Sequence, residues 1–151
     1  MEIERKFLIK RLPESLDLYE HKKIAQGYLN VNPVVRVRKS DDEYYLTYKG
    51  SGLMVREEYN LPLTKEAYDN LVKKIDGRLI EKTRYLIPLS NNLTAELDVF
   101  AGAMYPLQMV EVEFESVEQA ETFAVPEWFG DEVTNNVAYH NSNMAMGGTN
   151  E

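Results

Sequence analysis

The sequence predicts a mainly β chain, an antiparallel barrel or sandwich of eight strands accompanied by a few helices. Stretches of period-two alternation recur near residues 1–10, 24–31, 34–39, 43–49, 53–61, 79–87, 93–100 and 107–115. Turn residues fall between them, at Asn32-Pro33, Ser40-Asp41-Asp42, Gly50-Ser51-Gly52, Ser90-Asn91-Asn92 and Ala101-Gly102. Links this short favour hairpins over parallel crossovers, which need a dozen residues or more.

The first strand sets the pattern. Glu2, Glu4 and Lys6 share one face and Ile3 lies on the other. Same-face neighbours on a strand are roughly 6.5 to 7 Å apart, a spacing that suits carboxylates sharing a divalent cation. Pro13 to Lys22 carries a weak helical period. Further on, Arg36 and Arg38 flank Val37, Lys49 shares a face with Thr47 and Tyr45, and Arg56, Glu58 and Asn60 alternate with Glu57, Tyr59 and Leu61. Thr64 is an N-cap for a helix that puts Ala67, Leu71 and Ile75 on one face and ends at Gly77.

In the second half, Lys82 and Arg84 flank Thr83, Glu96 and Asp98 flank Leu97, and Glu111 and Glu113 flank Val112. Ser116 can cap a helix through Phe123, Val137 to Met146 predicts another, and residues 147–151 read as a flexible tail. The opposite strand faces are largely apolar, with Ile3, Phe7, Val35, Val37, Tyr44, Leu46, Tyr48, Leu97, Val99, Val110, Val112 and Phe114, and are expected to lie under the helices. At 151 residues the chain is most simply one domain, residues 1–146, with no internal repeat or linker.

Composition narrows the function. Lys plus Arg is 17 against 25 for Asp plus Glu, a net charge of -8. Bulk attraction to nucleic acid or anionic lipid is therefore not expected, and any bound anion must be caught by a local cluster. The chain has no cysteine, which removes disulfide frameworks, thiolate zinc sites and cysteine nucleophiles. Charges begin at Glu2, and no apolar run has the length of a membrane span. A soluble, cytoplasmic protein is the expectation.

An antiparallel sheet with one solvated face produces the same alternation, so a single E-x-E or R-x-R decides little. Together the strands are more informative. Paired acids and paired bases at i, i+2 are mildly destabilising on an open face, and the arginine fork suits phosphate oxygens. Were the strands closed into a barrel, seven bases (Lys6, Arg36, Arg38, Lys49, Arg56, Lys82, Arg84) and seven acids (Glu2, Glu4, Glu58, Glu96, Asp98, Glu111, Glu113) would turn inward. Such an interior cannot be dry, because burying each ion costs several kcal/mol even after relaxation. A polyphosphate held by cations, with Mg²⁺ or Mn²⁺ on the carboxylates, would satisfy both signs of charge.

Glu2-Ile3-Glu4-Arg5-Lys6 resembles the E-x-E-x-K signature of the CYTH superfamily, the triphosphate tunnel metalloenzymes. The resemblance continues through Gln26-Gly27-Tyr28-Leu29, Arg36-Val37-Arg38, Thr47-Tyr48-Lys49-Gly50, Arg56 with Glu58, Lys82 with Arg84, Glu96 with Asp98, and Glu111-Val112-Glu113-Phe114. It implies a closed eight-stranded antiparallel barrel forming a tunnel, with helices outside. It also implies a hydrolase that splits inorganic triphosphate into pyrophosphate and phosphate. The family's other activities, adenylate cyclase of class IV and thiamine triphosphatase, are the alternatives, and a binder of polyphosphate or nucleotide without turnover is the non-enzymatic one.

Carried over by position, the resemblance makes Lys6, Arg36, Arg38, Lys49, Arg56, Lys82 and Arg84 the triphosphate grip. Glu2, Glu4, Glu96, Asp98, Glu111 and Glu113 become ligands of Mg²⁺ or Mn²⁺, and Glu2, Glu4, Glu58, Lys82 and Tyr28 the catalytic set. Many bacterial relatives resemble R-x-E-x-E where this chain has Arg56, Glu58 and Asn60; an amide brings an oxygen but no charge. The implied partner is a small triphosphate, with no nucleic acid or membrane, and a homodimer is allowed.

Other signatures are missing. His21 and His140 are far apart, with no G-x-S-x-G nearby, and are read as packing or helix-surface residues. There is neither a Walker A loop nor a dinucleotide fingerprint.

Overall fold

Strands with one charged and one apolar face need two different surroundings, and this chain provides them by rolling its sheet into a nearly closed barrel. The computed structural model describes residues 1–147, so the expected tail, Gly147 apart, lies outside the described residues. In chain order the strands are β1 (Glu2–Ile9), β2 (Glu20–Val31), β3 (Val34–Ser40), β4 (Glu43–Lys49), β5 (Val55–Arg56), β6 (Glu58–Pro62), β7 (Asp76–Pro88), β8 (Thr94–Ala101), β9 (Gln108–Glu113) and β10 (Phe129–Glu132).

All pairings are antiparallel and follow the order β10-β1-β9-β8-β7-β2-β3-β4-β6. The ring closes at Glu57, on whose two sides β5 pairs with β1, through Glu2↔Arg56 and Ile3↔Val55, and β6 pairs with β4. β5 and β6 together are the fifth expected strand. The eight strands are thus all present, arranged as a barrel and not a sandwich.

β10 is an addition, because Phe-Gly-Asp-Glu has no period-two signal. It shares one edge of β1 with β5: β5 takes the front at Glu2 and Ile3, and β10 takes the rear at Phe7 and Ile9.

The helices are shorter than the periodicity predicts. α1 (Lys65–Val72) starts at its expected cap, where the Ala67 N–H donates to Thr64 Oγ1 at 3.1 Å. It stops well before Gly77, which lies in β7 with a φ of 67°. A Cβ there would sit 2.4 Å from the Ala145 carbonyl oxygen, so Gly77 makes room for the C-terminal segment and does not cap the helix. α2 (Val117–Glu121) is capped by Ser116 Oγ, which accepts from the Gln119 N–H at 3.0 Å.

The expected helix over Pro13 to Lys22 is only a 3₁₀ turn at Leu16–Leu18. From Glu20 onward the chain is claimed by pairing with β7, Glu20 opposite Leu86 and Lys22 opposite Arg84, which outweighs a weak local preference. The expected helix over Val137 to Met146 is a 3₁₀ turn, Val137–Tyr139, followed by α3 (Asn141–Ala145).

Two separate cores result. The first lies outside the barrel, where Phe7, Leu97, Val110, Val112 and Phe114 pack under Ala120 of α2 and Phe129 of β10. The second lies inside one end of the barrel, where Tyr28, Val34, Ile80, Phe100 and Met109 surround Met144 and Ala145 of α3. The interior is therefore not charged throughout. Part of its rear is filled by Met144 and Ala145 of α3, and the charged residues occupy the rest.

The expected covering of the apolar outer face is incomplete. α1 reaches β4, with Tyr68 and Tyr44 rings 5.2 Å apart, but Tyr48, Tyr59 and Leu61 on β4 and β6 stay exposed. Among the described residues, no helix is long and apolar enough to cross a membrane.

Candidate active site

Strand alternation places the charged side chains, and the register decides which of them meet. Glu4 stands opposite Glu113 and Lys6 opposite Glu111 on β1 and β9, while Glu111 also stands opposite Glu96 on β8. Arg84 faces Asp98, Arg36 faces Thr47, and Lys49 faces Glu58.

Acids gather at the front. Glu2, Glu58 and Glu113 each offer a carboxylate oxygen, and these atoms lie within 4.8 Å of one another. Burial raises Glu2 to about 7 against the pull of Lys49, with Glu58 adding to the rise. Burial and the charges of Glu96 and Glu58 likewise raise Glu113. Hard carboxylate oxygens crowded in this way fit Mg²⁺, Mn²⁺ or Ca²⁺, whose charge would relieve their repulsion.

Asn60 has a defined place beside this cluster. Its Oδ1 accepts from Thr47 Oγ1 at 2.6 Å, and its Nδ2 donates to Glu58 Oε1 at 3.3 Å. A glutamate could not donate to Glu58, so the amide steadies a carboxylate that the cluster needs.

Deeper inside, two neighbouring carboxylates are shifted in opposite directions. Burial and the neighbouring Glu111 hold Glu4 well above its usual range, and the two are hydrogen-bonded. Burial would raise Glu111 as well, but Lys6, Arg84 and Lys82 outweigh it and hold that carboxyl well below its usual range.

Asp98, expected among the metal ligands, pairs with bases. Arg84 grips it by two hydrogen bonds, of 2.8 and 2.9 Å, and Lys82 Nζ lies 2.7 Å from its Oδ2. Arg84 reaches Glu96 and Glu111 as well, each at 3.6 Å. Burial lowers Lys82 to about 7 even beside Asp98, helped by Arg84 and Arg38.

The bases divide into two groups. Lys49 is occupied by Glu2 at 2.9 Å and Glu58 at 3.3 Å, as Lys82 and Arg84 are by Asp98. Among the described residues, Lys6, Arg36, Arg38 and Arg56 enter no ion pair. Arg36 is buried, and its Nε has no hydrogen-bond partner. Burial and the neighbouring Arg36 and Arg84 lower Arg38 to about 9. Buried guanidinium groups without carboxylates make a receptor for an anion.

The spaces they line adjoin one another. A mouth of about 380 Å³ lies between Lys22, Tyr45, Asn60 and Glu96. It shares Arg38, Asn60, Arg84 and Glu96 with a middle cavity of about 140 Å³ that holds the acid cluster. The middle cavity shares Arg36, Lys49, Glu111 and Asn141 with an inner neck of about 30 Å³, which Lys6, Tyr28 and His140 also line. Of the expected residues, Lys82 and Asp98 stand behind these walls and the others line them, Glu96 and Arg84 at both the mouth and the middle cavity.

Sequence reasoning missed the residues that come from the C-terminal segment. Thr134, His140 and Asn141 line the neck, although no strand alternation marks them. His140 is no helix-surface residue: its Nε2 lies 3.2 Å from the Thr134 carbonyl, and burial lowers its proton affinity. His21 is on a strand, not a helix, with its ring 5.3 Å from that of Tyr85. Gln26, fully buried, was legible from its alternation with Tyr28; it accepts from Arg38 Nε at 2.8 Å and donates to the Tyr28 hydroxyl at 3.2 Å.

Comparison with known proteins agrees with this geometry. Residues 1–135 match the family model described as the CYTH domain. An inorganic triphosphatase of Nitrosomonas europaea is 40% identical over 148 residues, spanning 96% of this chain and 97% of its own length. One from Acetivibrio thermocellus is 34% identical over 154 residues, spanning 95% of this chain and 92% of its own. A crystal structure of an inorganic triphosphatase superposes with a TM-score of 0.72 at 38% identity, covering 97% of this chain and 95% of that one. A Hippeastrum protein with a dominant triphosphatase activity shares the fold alone, at 14% identity and a TM-score of 0.59 over 80% of this chain and 83% of that one. With the match running through every strand of the barrel, the chain belongs to the CYTH domain family.

Proposed function

We propose that this chain is a divalent-metal-dependent hydrolase that cleaves inorganic triphosphate to pyrophosphate and orthophosphate. The observation that carries this reading is the set of bases Lys6, Arg36, Arg38 and Arg56, which enter no ion pair among the described residues, beside the Glu2, Glu58 and Glu113 cluster in adjoining cavities. Curated relatives of nearly the same length carry the name inorganic triphosphatase. The narrow neck, about 30 Å³, also favours a short unbranched substrate.

In this reading Arg36, Arg38, Lys6 and Arg56 bind the phosphate oxygens, and the buried guanidinium groups supply positive charge where negative charge develops. Glu2, Glu58 and Glu113 hold Mg²⁺ or Mn²⁺, which when bound polarises the phosphoryl oxygens and offsets their charge. Asn60 and Lys49 keep Glu58 and Glu2 in place. Lys82, with a proton affinity near neutrality, stands behind the cavity wall and takes up the proton of the attacking water through the groups in front of it, not by direct contact. Tyr28 orients the terminal phosphate in the neck. The water oxygen bonds to the terminal phosphorus while the bridging P–O bond breaks, and pyrophosphate leaves with the electron pair.

The test is a substrate panel of tripolyphosphate, ATP and thiamine triphosphate with each cation, products being identified by phosphorus NMR. Equal amounts of orthophosphate and pyrophosphate from tripolyphosphate are expected. Cyclic AMP from ATP without triphosphate turnover would overturn the reading.

A further inference from the structure

The neck has a neighbour on its far side. It shares Leu53, Arg56, His140 and Ser142 with a fourth cavity of about 440 Å³ that opens on the opposite side of the barrel from the mouth. This opening has a structural origin. The β5 pairing covers only the front of β1, and its rear is covered by β10 and the C-terminal segment. Between the turn before β5 and that segment the wall is built of side chains, with Leu53 and Arg56 on one bank and His140 and Ser142 on the other.

We infer that this seam is a rear exit for inorganic orthophosphate, which passes from the neck between Leu53 and Ser142 while pyrophosphate returns through the mouth.

Charge and size both favour that assignment. Lys6 and Arg56, neither in an ion pair among the described residues, flank the passage with the hydroxyls of Thr134 and Ser142, groups that suit a tetrahedral oxyanion. The neck, about 30 Å³, has room for about one water at rest. Orthophosphate passes when Leu53, whose side chain is 42% exposed on a turn, swings outward. Pyrophosphate is twice as long and remains among Arg36, Arg38 and the acid cluster, nearer the mouth.

The inference rests on the hydrolase reading, and its test separates the two. Leu53→Trp and Ser142→Trp each narrow the seam without touching the acid cluster, and unchanged melting curves would show that both fold. Rapid-quench assays with tripolyphosphate and Mg²⁺ should give a first-turnover rate like that of the wild type. A steady-state rate lower by about fivefold or more should follow, with a burst of about one orthophosphate per chain, the signature of slowed product release. An unchanged steady-state rate in both variants, or a loss shared equally by the first turnover with no burst, overturns the exit. Exchange of added orthophosphate, followed by phosphorus NMR line shape, should slow in both variants and does not depend on turnover. A wild type that leaves tripolyphosphate intact overturns the hydrolase reading, while the exchange measurement still decides the exit: exchange unaltered by both substitutions overturns it.

Discussion

Lys82 Nζ lies 2.7 Å from Asp98 Oδ2 at the centre of the barrel wall, and Arg84 holds the same carboxylate by two further hydrogen bonds. With Arg84 taking much of the negative charge, burial prevails at Lys82 and lowers it to about 7. An ammonium that loses its proton near neutral pH is a base matched to cellular conditions.

Replacing this base should cost about 10²- to 10⁴-fold in kcat. Lys82→Met retains the length and apolar stem of the side chain, so the fold should persist, with Asp98 still held by Arg84. The wild-type profile of kcat/KM should rise through a pKa of about 7, and that limb should vanish in the variant. A profile unchanged in Lys82→Met would assign the limb to another group.

Stability should respond to pH through Glu2. Its pKa is raised to about 7 in the fold from an ordinary 4.5, so between these values the folded chain binds a proton that the unfolded chain does not. Its contribution to stability is therefore full below 4.5 and is lost as pH rises through 7. Without divalent cations Tm should fall over this interval, and added Mg²⁺ or Mn²⁺ should restore it most at the upper end. Scanning calorimetry at stepped pH in chelator, then in cation, checks both signs.

Arg36→Ala should lower kcat by about 10²- to 10³-fold, the loss typical of removing one preorganised donor. Because Arg36 enters no ion pair among the described residues, its removal strands no carboxylate. Tm should therefore hold or rise while activity falls. A large drop in Tm would make Arg36 a structural residue.

A Cβ at Gly27 would lie 2.6 Å from Ile75 Cδ1 and 2.7 Å from its Cγ2. The β-branched side chain cannot swing clear of both contacts, so Gly27→Ala should destabilise by about 1–3 kcal/mol. Urea unfolding measures this directly, and an unchanged midpoint would refute the close approach.

The strands were legible because period-two alternation is a local signal, and the inward charges were legible from the same alternation. What the sequence reading lacked depends on partners distant in the chain. β10 forms because the rear edge of β1 needs hydrogen bonds, and nothing in Phe-Gly-Asp-Glu announces that. α3 lies inside the barrel because Met144 and Ala145 fill a space bounded by five strands, and the same segment read locally is an ordinary short helix. Asp98 reads locally as a carboxylate alternating with Glu96, and only the register shows that it stands opposite Arg84. Asn60 looks like a missing acid until its amide is seen to donate to Glu58.

The most direct measurement of the central claim is release of orthophosphate and pyrophosphate from tripolyphosphate, with Mg²⁺ or Mn²⁺ and again in excess chelator, by the wild type and by Glu2→Gln. Turnover that requires the cation, yields both products in equal amount and is lost in Glu2→Gln is the predicted result. Turnover that persists in chelator, or is undiminished in Glu2→Gln, would contradict a triphosphate held by bases beside a metal on the Glu2, Glu58 and Glu113 cluster.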